Sequence, residues 1–96
     1  MDKIPAEKLK KYFSMSREAF ALAKKAECAK GLEKERAAFL DTISRYIQDG
    51  EHFYKKNDKV NAFAALNYAH GWLDAGAKLG LWKVKDNGLF AGVDDE

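Results

Sequence analysis

This chain of 96 residues contains few of the residues that build β-sheets or covalent crosslinks. It has three isoleucines, three valines and one threonine against fifteen alanines, whereas strands favour β-branched side chains. Its single cysteine cannot form an internal disulfide. No apolar run exceeds five residues, which is far below the roughly 20 that a membrane-spanning helix needs. These shortages exclude a β-sandwich or β-barrel, a disulfide scaffold and a spanning helix.

Charge of one sign is not in large excess either. The 17 basic and 15 acidic residues leave a net charge of +2, which falls short of the clustered positive charge of a nucleic-acid-binding domain. Five lysines near the amino end would attract nucleic acid only non-specifically: Lys8, Lys10, Lys11, Lys24 and Lys25. We therefore expect no specific nucleic-acid partner and no membrane association. The start of the chain has no apolar secretory stretch, which predicts a cytoplasmic protein.

The hydrophobic periodicity predicts an all-α protein. A single helical domain, residues 1–96, is expected to form a three-helix bundle, with helices at about 5–30, 32–56 and 59–79 and an irregular tail at 81–96. Pro5 suits the first position of the first helix, and Gly31 is its expected end. Cys28 then packs on that helix as a small apolar group.

A tight corner is expected to join the second and third helices. Asn57 tolerates the left-handed backbone that ends helices, and Asp58 is a strong N-cap. Since so short a connection reverses the chain, the two helices form an antiparallel hairpin. Gly50 inside the second helix indicates a close approach of another backbone, and Gly80 ends the third helix.

The third helix is predicted to be the central element, because more than half of its circumference is apolar and much of that is small. Its broad apolar side holds Ala62, Ala65, Leu66, Ala69, Trp72, Leu73, Gly76 and Gly80. The tail adds Trp82 and Phe90. Together with Tyr68 and Trp72, these side chains exceed what so small a bundle is expected to cover, unless the first helix and the tail hide them all.

One polar row lies on this helix: Asn67, His70, Asp74 and Lys78, at spacings of three, four and four residues. In a functional interpretation, His70 is a base or ligand-binding group, Asp74 orients its imidazole and Lys78 supplies charge. Gly71 leaves a notch beside the row, and Tyr68 and Trp72 form the wall of a neighbouring groove. A simpler explanation is that the row only faces solvent.

Signatures of catalysis and of metal binding are missing. The chain has no glycine-rich phosphate loop, no His-Glu-x-x-His motif, no calcium loop and no nucleophile elbow. His52 has no metal-ligand spacing to His70. The sequence therefore predicts no catalytic residue, no metal site and no cofactor.

The hairpin also carries a resemblance to a known family. The most specific segment is residues 68–76, with the sequence YAHGWLDAG, within a similar stretch over residues 46–82. This stretch resembles the DUF357 family, small archaeal proteins of unknown function. The resemblance implies a compact helical bundle in an archaeal cytoplasm and brings no activity, cofactor or catalytic residue with it.

Two hypotheses about function remain. The first is an interaction module that binds a protein partner or associates with itself as a dimer, because of the surplus apolar surface. The alternative is a small-molecule- or nucleotide-linked enzyme component that uses the polar row of Asn67, His70, Asp74 and Lys78.

Overall fold

The computed structural model describes residues 4–85 and 88–90, and the chain forms three α-helices within them. They are α1 (Ala6–Lys25), α2 (Glu33–Lys55) and α3 (Lys59–Leu79). The described residues contain no strand, so the predicted all-α three-helix bundle is confirmed. Residues 86–87 and 91–96 of the expected irregular tail lie outside the described residues.

The residues of the α2–α3 corner reverse the chain and so produce the predicted antiparallel hairpin. Asn57 has a φ of 62°, the left-handed conformation that asparagine tolerates. The Asp58 side chain accepts a hydrogen bond from the backbone N–H of Asn61 at 3.2 Å and so caps α3. Gly80, with a φ of 86°, ends α3 as predicted. Of the three helix pairs, α2 and α3 have the most extensive contact.

α3 makes more contact than either of the other helices, since its contacts with α2 and with α1 both exceed the contact between α1 and α2. Six of its residues are buried: Ala62, Ala65, Leu66, Ala69, Leu73 and Gly76. A β-carbon at Gly50 would lie 3.3 Å from Leu66 Cδ2 and 3.5 Å from the carbonyl oxygen of Ala62. The glycine therefore permits the close approach of α2 and α3 that its position in the sequence predicts.

The first helix is shorter than predicted: it ends at Lys25, not near Lys30. The Arg36 guanidinium, from the first turn of α2, donates hydrogen bonds to the backbone carbonyls of Lys24 at 2.7 Å and Ala26 at 2.9 Å. It thereby satisfies carbonyls that a longer helix would have used itself. Cys28 accordingly lies half-buried in the connecting segment, and its expected position on the helix is wrong.

The tail folds back and completes the core. Leu81, Trp82 and Phe90 are buried, and the indole N–H of Trp82 donates to the Leu73 carbonyl at 2.9 Å. Of the two alternatives for Trp82 and Phe90, the one in which the tail hides them is confirmed, because the segment that carries them turns back onto the helices. Within residues 4–85 and 88–90, none of the helices has the length and apolarity needed to cross a membrane.

Candidate functional site

The polar row predicted on α3 is divided between different surroundings. Asn67 and Lys78 are exposed, whereas His70 and Asp74 are half-buried. His70 and Asp74 line one pocket, and Asn67 lines a neighbouring groove. Lys78 lines neither of the two. The structure thus brings only two members of the row together in one pocket.

The His70 pocket lies where the tail meets α1 and α3. Its volume is about 240 Å³, and its lining consists of Tyr12, Met15, His70, Asp74, Gly88, Leu89 and Phe90. The imidazole ring of His70 is 5.0 Å from the ring of Tyr12. Its Nε2 atom is buried and has no hydrogen-bond partner among the described residues. A buried polar atom of this kind is uncommon in folded proteins.

Burial changes the chemistry of this imidazole. Loss of solvent lowers the pKa of His70 below 6.5, and the negative charge of Asp74 raises it by a smaller amount. Because the net shift is downward, His70 is neutral near pH 7. A neutral imidazole has one donor and one acceptor nitrogen, so His70 can make a hydrogen bond to a small molecule in the pocket.

Tyr12 belongs to this site and was missed at the sequence level as a functional residue. Its hydroxyl donates a hydrogen bond to Asn67 Oδ1 at 2.7 Å, and its ring also lies 4.8 Å from the ring of Phe63. The only sequence signal was its place beside the apolar row of the first helix. The position of Tyr12 in the sequence indicates which side of α1 it occupies. It does not indicate which residue of α3 the Tyr12 side chain contacts.

The predicted groove beside Gly71 is present on the surface of α2 and α3. It has a volume of about 330 Å³ and is lined by Phe39, Asn67, Tyr68, Gly71, Trp72 and Ala75. Phe39 packs edge-on against Trp72 at 4.7 Å, and Tyr46 stacks on Tyr68 at 5.4 Å. Two aromatic pairs therefore hold the walls of the groove in place. No atom lies within 4 Å of the position that a Gly71 β-carbon would occupy.

A continuous apolar row runs along the outside of α3. This outer row consists of Val60, Ala64, Tyr68, Gly71, Ala75 and Leu79, spaced by four, four, three, four and four residues. Tyr68 is 60% exposed, Leu79 59% and Val60 54%. Among the described residues, only one other large hydrophobic side chain, Leu22, is classed as exposed. The exposed large apolar side chains of α3 therefore all lie in the outer row. Isolated exposed apolar side chains are ordinary on protein surfaces, but a row of them is not.

Chemical features that would mark an enzyme are sparse. In the part of the chain that the structure describes, no three His, Cys, Asp or Glu side chains are grouped so that they could hold a metal ion. The described residues form a small helical bundle with an exposed apolar row on α3 and a small pocket beside His70.

A comparison with known families identifies the family of this chain. The model of the DUF357 family, a protein of unknown function, matches residues 11–82. The chain therefore belongs to this family, and the match includes most of α1 as well as the hairpin. No curated protein and no solved structure matches the chain.

Proposed function

We propose that this chain is an interaction module that binds a protein chain through the outer row of α3. The observation that carries the proposal is the exposure of Val60, Tyr68 and Leu79 in one line on the central helix. Full burial of a large apolar side chain contributes roughly 1.5–3 kcal/mol. Since Val60, Tyr68 and Leu79 are already partly covered in the single chain, a partner that covered all three would gain about 2–5 kcal/mol from them, which is one part of the free energy that a specific complex needs.

The chemistry of the outer row favours an apolar helix as the bound element. The row contains no charged side chain, and it extends along 21 residues of α3, a length of about 30 Å. Its small members, Ala64, Gly71 and Ala75, let a second helix axis come close. Beside them, the groove next to Trp72 is open to a protruding side chain. This combination is typical of proteins that bind a helix along a groove.

A photocrosslinking experiment tests the proposal directly. A benzoylphenylalanine in place of Leu79 lies on the outer row, and the same residue in place of Leu22 lies on α1 as a matched control. After irradiation in cells of the source organism, we expect a discrete crosslinked protein from position 79 and none from position 22. Absence of a discrete product at position 79, or equal products at both positions, contradicts the proposal.

The cellular setting of this interaction also remains a proposal. An archaeal cytoplasm is what the family resemblance implies, and the same irradiated cells test it by fractionation. We expect both the chain and its crosslinked product in the soluble fraction. Recovery of the product with membranes, or with nucleic acid that nuclease treatment removes, contradicts this setting.

The His70 pocket supports a second candidate function, that of an enzyme component for a small molecule. The supporting observation is the buried Nε2 atom without a hydrogen-bond partner. The pocket, at about 240 Å³, is smaller than the roughly 300–1,000 Å³ typical of ligand sites. A whole nucleotide is too large for it, and this is why we place the enzyme component second.

Thermal denaturation with a panel of small metabolites tests this candidate. A ligand held by His70 should raise the melting temperature of the wild-type protein and not that of the variant His70→Gln. The variant His52→Gln, at an exposed position, is the matched control and should respond as the wild type does. A panel that raises no melting temperature contradicts the candidate.

A further inference from the structure

The spacing of the outer row is the same in both directions along the helix. Steps of four, four, three, four and four residues place its midpoint between Ala69 and His70. A two-fold axis through that midpoint places Val60 opposite Leu79, Ala64 opposite Ala75 and Tyr68 opposite Gly71. Antiparallel pairing of two such helices therefore keeps the whole row in register.

Side-chain sizes in the outer row follow the same symmetry. The two ends carry the branched apolar side chains of Val60 and Leu79, and the next positions carry the methyl groups of Ala64 and Ala75. At the centre, the large Tyr68 ring is paired with Gly71, whose missing side chain leaves open space. Each large side chain thus meets either another end residue or a gap that can receive it.

We infer that the partner of the outer row is a second copy of this chain, with the two α3 helices antiparallel about a two-fold axis. This inference rests on the proposed function, since it names the occupant of the same surface. Each Tyr68 ring, held by its stacking on Tyr46, enters the notch at Gly71 of the partner subunit. The contact is isologous, because the same residues serve both copies, and it closes at two chains.

Parallel pairing does not fit the same residues. It sets Tyr68 against Tyr68 of the partner subunit and leaves two glycines facing each other across a gap. It also sets the two Lys78 side chains together at one end, where like charges repel. Antiparallel pairing separates the Lys78 side chains to opposite ends. Each then lies opposite Asn61 of the partner subunit and one turn from the acidic Asp58 of the partner subunit.

The contact is small, and this determines the affinity that we expect. An interface one helix wide lies at the low end of the range for stable complexes. The dimer should therefore have a dissociation constant on the order of 100 μM and dissociate on dilution.

Sedimentation velocity across a concentration series measures the dimer. From about 10 μM to about 1 mM, the wild-type chain should pass from mostly monomer to mostly dimer. Gly71→Gln fills the notch from a position with no neighbour within 4 Å, so it should fold normally and raise the dimer dissociation constant at least tenfold. Leu79→Glu should do the same.

Leu22→Glu, at the exposed position on α1, is the matched control and should change the dissociation constant less than twofold. Circular dichroism confirms that each variant is folded. A chain that stays monomeric throughout, or a folded Gly71→Gln protein that dimerises like the wild type, overturns the inference.

Cysteine crosslinking tests the orientation of the two helices. In the background Cys28→Ala, we mix chains carrying Ala64→Cys with chains carrying Ala75→Cys. Antiparallel pairing predicts a disulfide between the two different chains, and neither chain alone should crosslink. Disulfides within the Ala64→Cys sample alone indicate parallel pairing and overturn the inference.

The two proposals fail in distinguishable ways. If the photocrosslinked product at position 79 has twice the mass of one chain, it supports both. A product with a different protein, together with a monomeric chain at about 1 mM, keeps the interaction module and overturns the dimer. No product at position 79 contradicts the interaction module itself.

Discussion

Two glycines on α3 have opposite surroundings, although both lie inside the same helix. A β-carbon at Gly76 would overlap the Trp82 ring, whose Cε2 atom would be 2.6 Å away. A β-carbon at Gly71 would have no neighbour within 4 Å other than the backbone of its own helix. Gly76 is therefore required by the packing of the tail, whereas Gly71 is free to change as far as the monomer is concerned.

We predict opposite effects of alanine at these two positions. Gly76→Ala should lower the free energy of unfolding by about 1–3 kcal/mol, because the ring of Trp82 must move. Gly71→Ala should raise it by about 0.5–1 kcal/mol through helix propensity. Urea denaturation at low chain concentration measures both values. Equal effects at the two positions would contradict the packing described here.

His70 makes stability depend on pH. Burial lowers its pKa in the folded state, so the unfolded chain binds more protons as the pH falls below 6.5. We predict that unfolding becomes easier from about pH 7 downwards and that this dependence levels off once the folded-state pKa is passed. In His70→Gln this part of the pH dependence should disappear. His52→Gln serves as the control for loss of one imidazole.

At the scale of residues, a structural feature can be predicted from the sequence when only neighbouring residues determine it. Asn57, Asp58 and Gly80 were placed correctly because a turn or a cap depends on the residue itself and a few neighbours. The contact between Tyr12 and Asn67 joins residues 55 positions apart. No periodicity within one helix specifies such a pair, so the surroundings of His70 could not be predicted.

At the scale of helices, the end of α1 shows how a tertiary contact overrides a local pattern. The alanine-rich segment before Gly31 favours helix, and the predicted end was therefore too late. The Arg36 guanidinium reaches the carbonyls of Lys24 and Ala26 from α2, and it also reaches Leu81, 45 positions away. One side chain thus joins the end of α1, the start of α2 and the tail.

We predict that Arg36→Met lowers the free energy of unfolding by about 2–4 kcal/mol. The substitution keeps the length of the side chain and removes three hydrogen bonds from a charged donor, two of them part-buried, to the carbonyls of Ala26 and Leu81. Arg45→Met is the matched control, because it removes only an exposed ion pair with Asp41. The control should change stability by less than about 0.5 kcal/mol. Thermal unfolding of both variants measures the difference.

The outer row was not recognised from the sequence as a surface of its own. A helix that is apolar around more than half of its circumference has no single hydrophobic face, so its spacing alone does not separate core from surface. Tyr68 was placed at the border of the apolar side and Gly71 at a notch. Only the packing of α1 and α2 shows that Val60 and Leu79 stay outside.

At the scale of the whole molecule, the described part of the tail belongs to the hydrophobic core. Trp82 is fully buried, and it lies among residues of α2 and α3. We predict that Trp82→Ala lowers the free energy of unfolding by about 3–5 kcal/mol. That is a large part of the roughly 5–15 kcal/mol that stabilises a typical domain.

The matched control for Trp82→Ala is Leu79→Ala, which removes an exposed side chain just before the tail begins. Its effect should stay within about 0.5 kcal/mol when it is measured at low chain concentration. Chemical denaturation followed by circular dichroism suits both variants. Similar losses in the two would mean that Trp82 does not anchor the tail.

The fold of the whole molecule was predictable because alanine content, helical spacing and one tight corner all agree. Function was not predictable, because the members of the polar row do not meet in one pocket and the sequence has no motif with a chemical mechanism. Membership of a family of unknown function leaves the surface of α3 as the strongest guide to what the protein does.

The segment that connects α1 to α2 and the segment that follows α3 are joined by backbone hydrogen bonds. Ala29 donates to the Gly80 carbonyl at 2.8 Å, and Lys83 donates to the Glu27 carbonyl at 2.8 Å. During synthesis on the ribosome, α1 is made before the residues after α3 that hold the α1–α2 connection in place. We therefore expect the newborn protein to stay open until residues 80–83 have left the ribosome, and then to close in a single step.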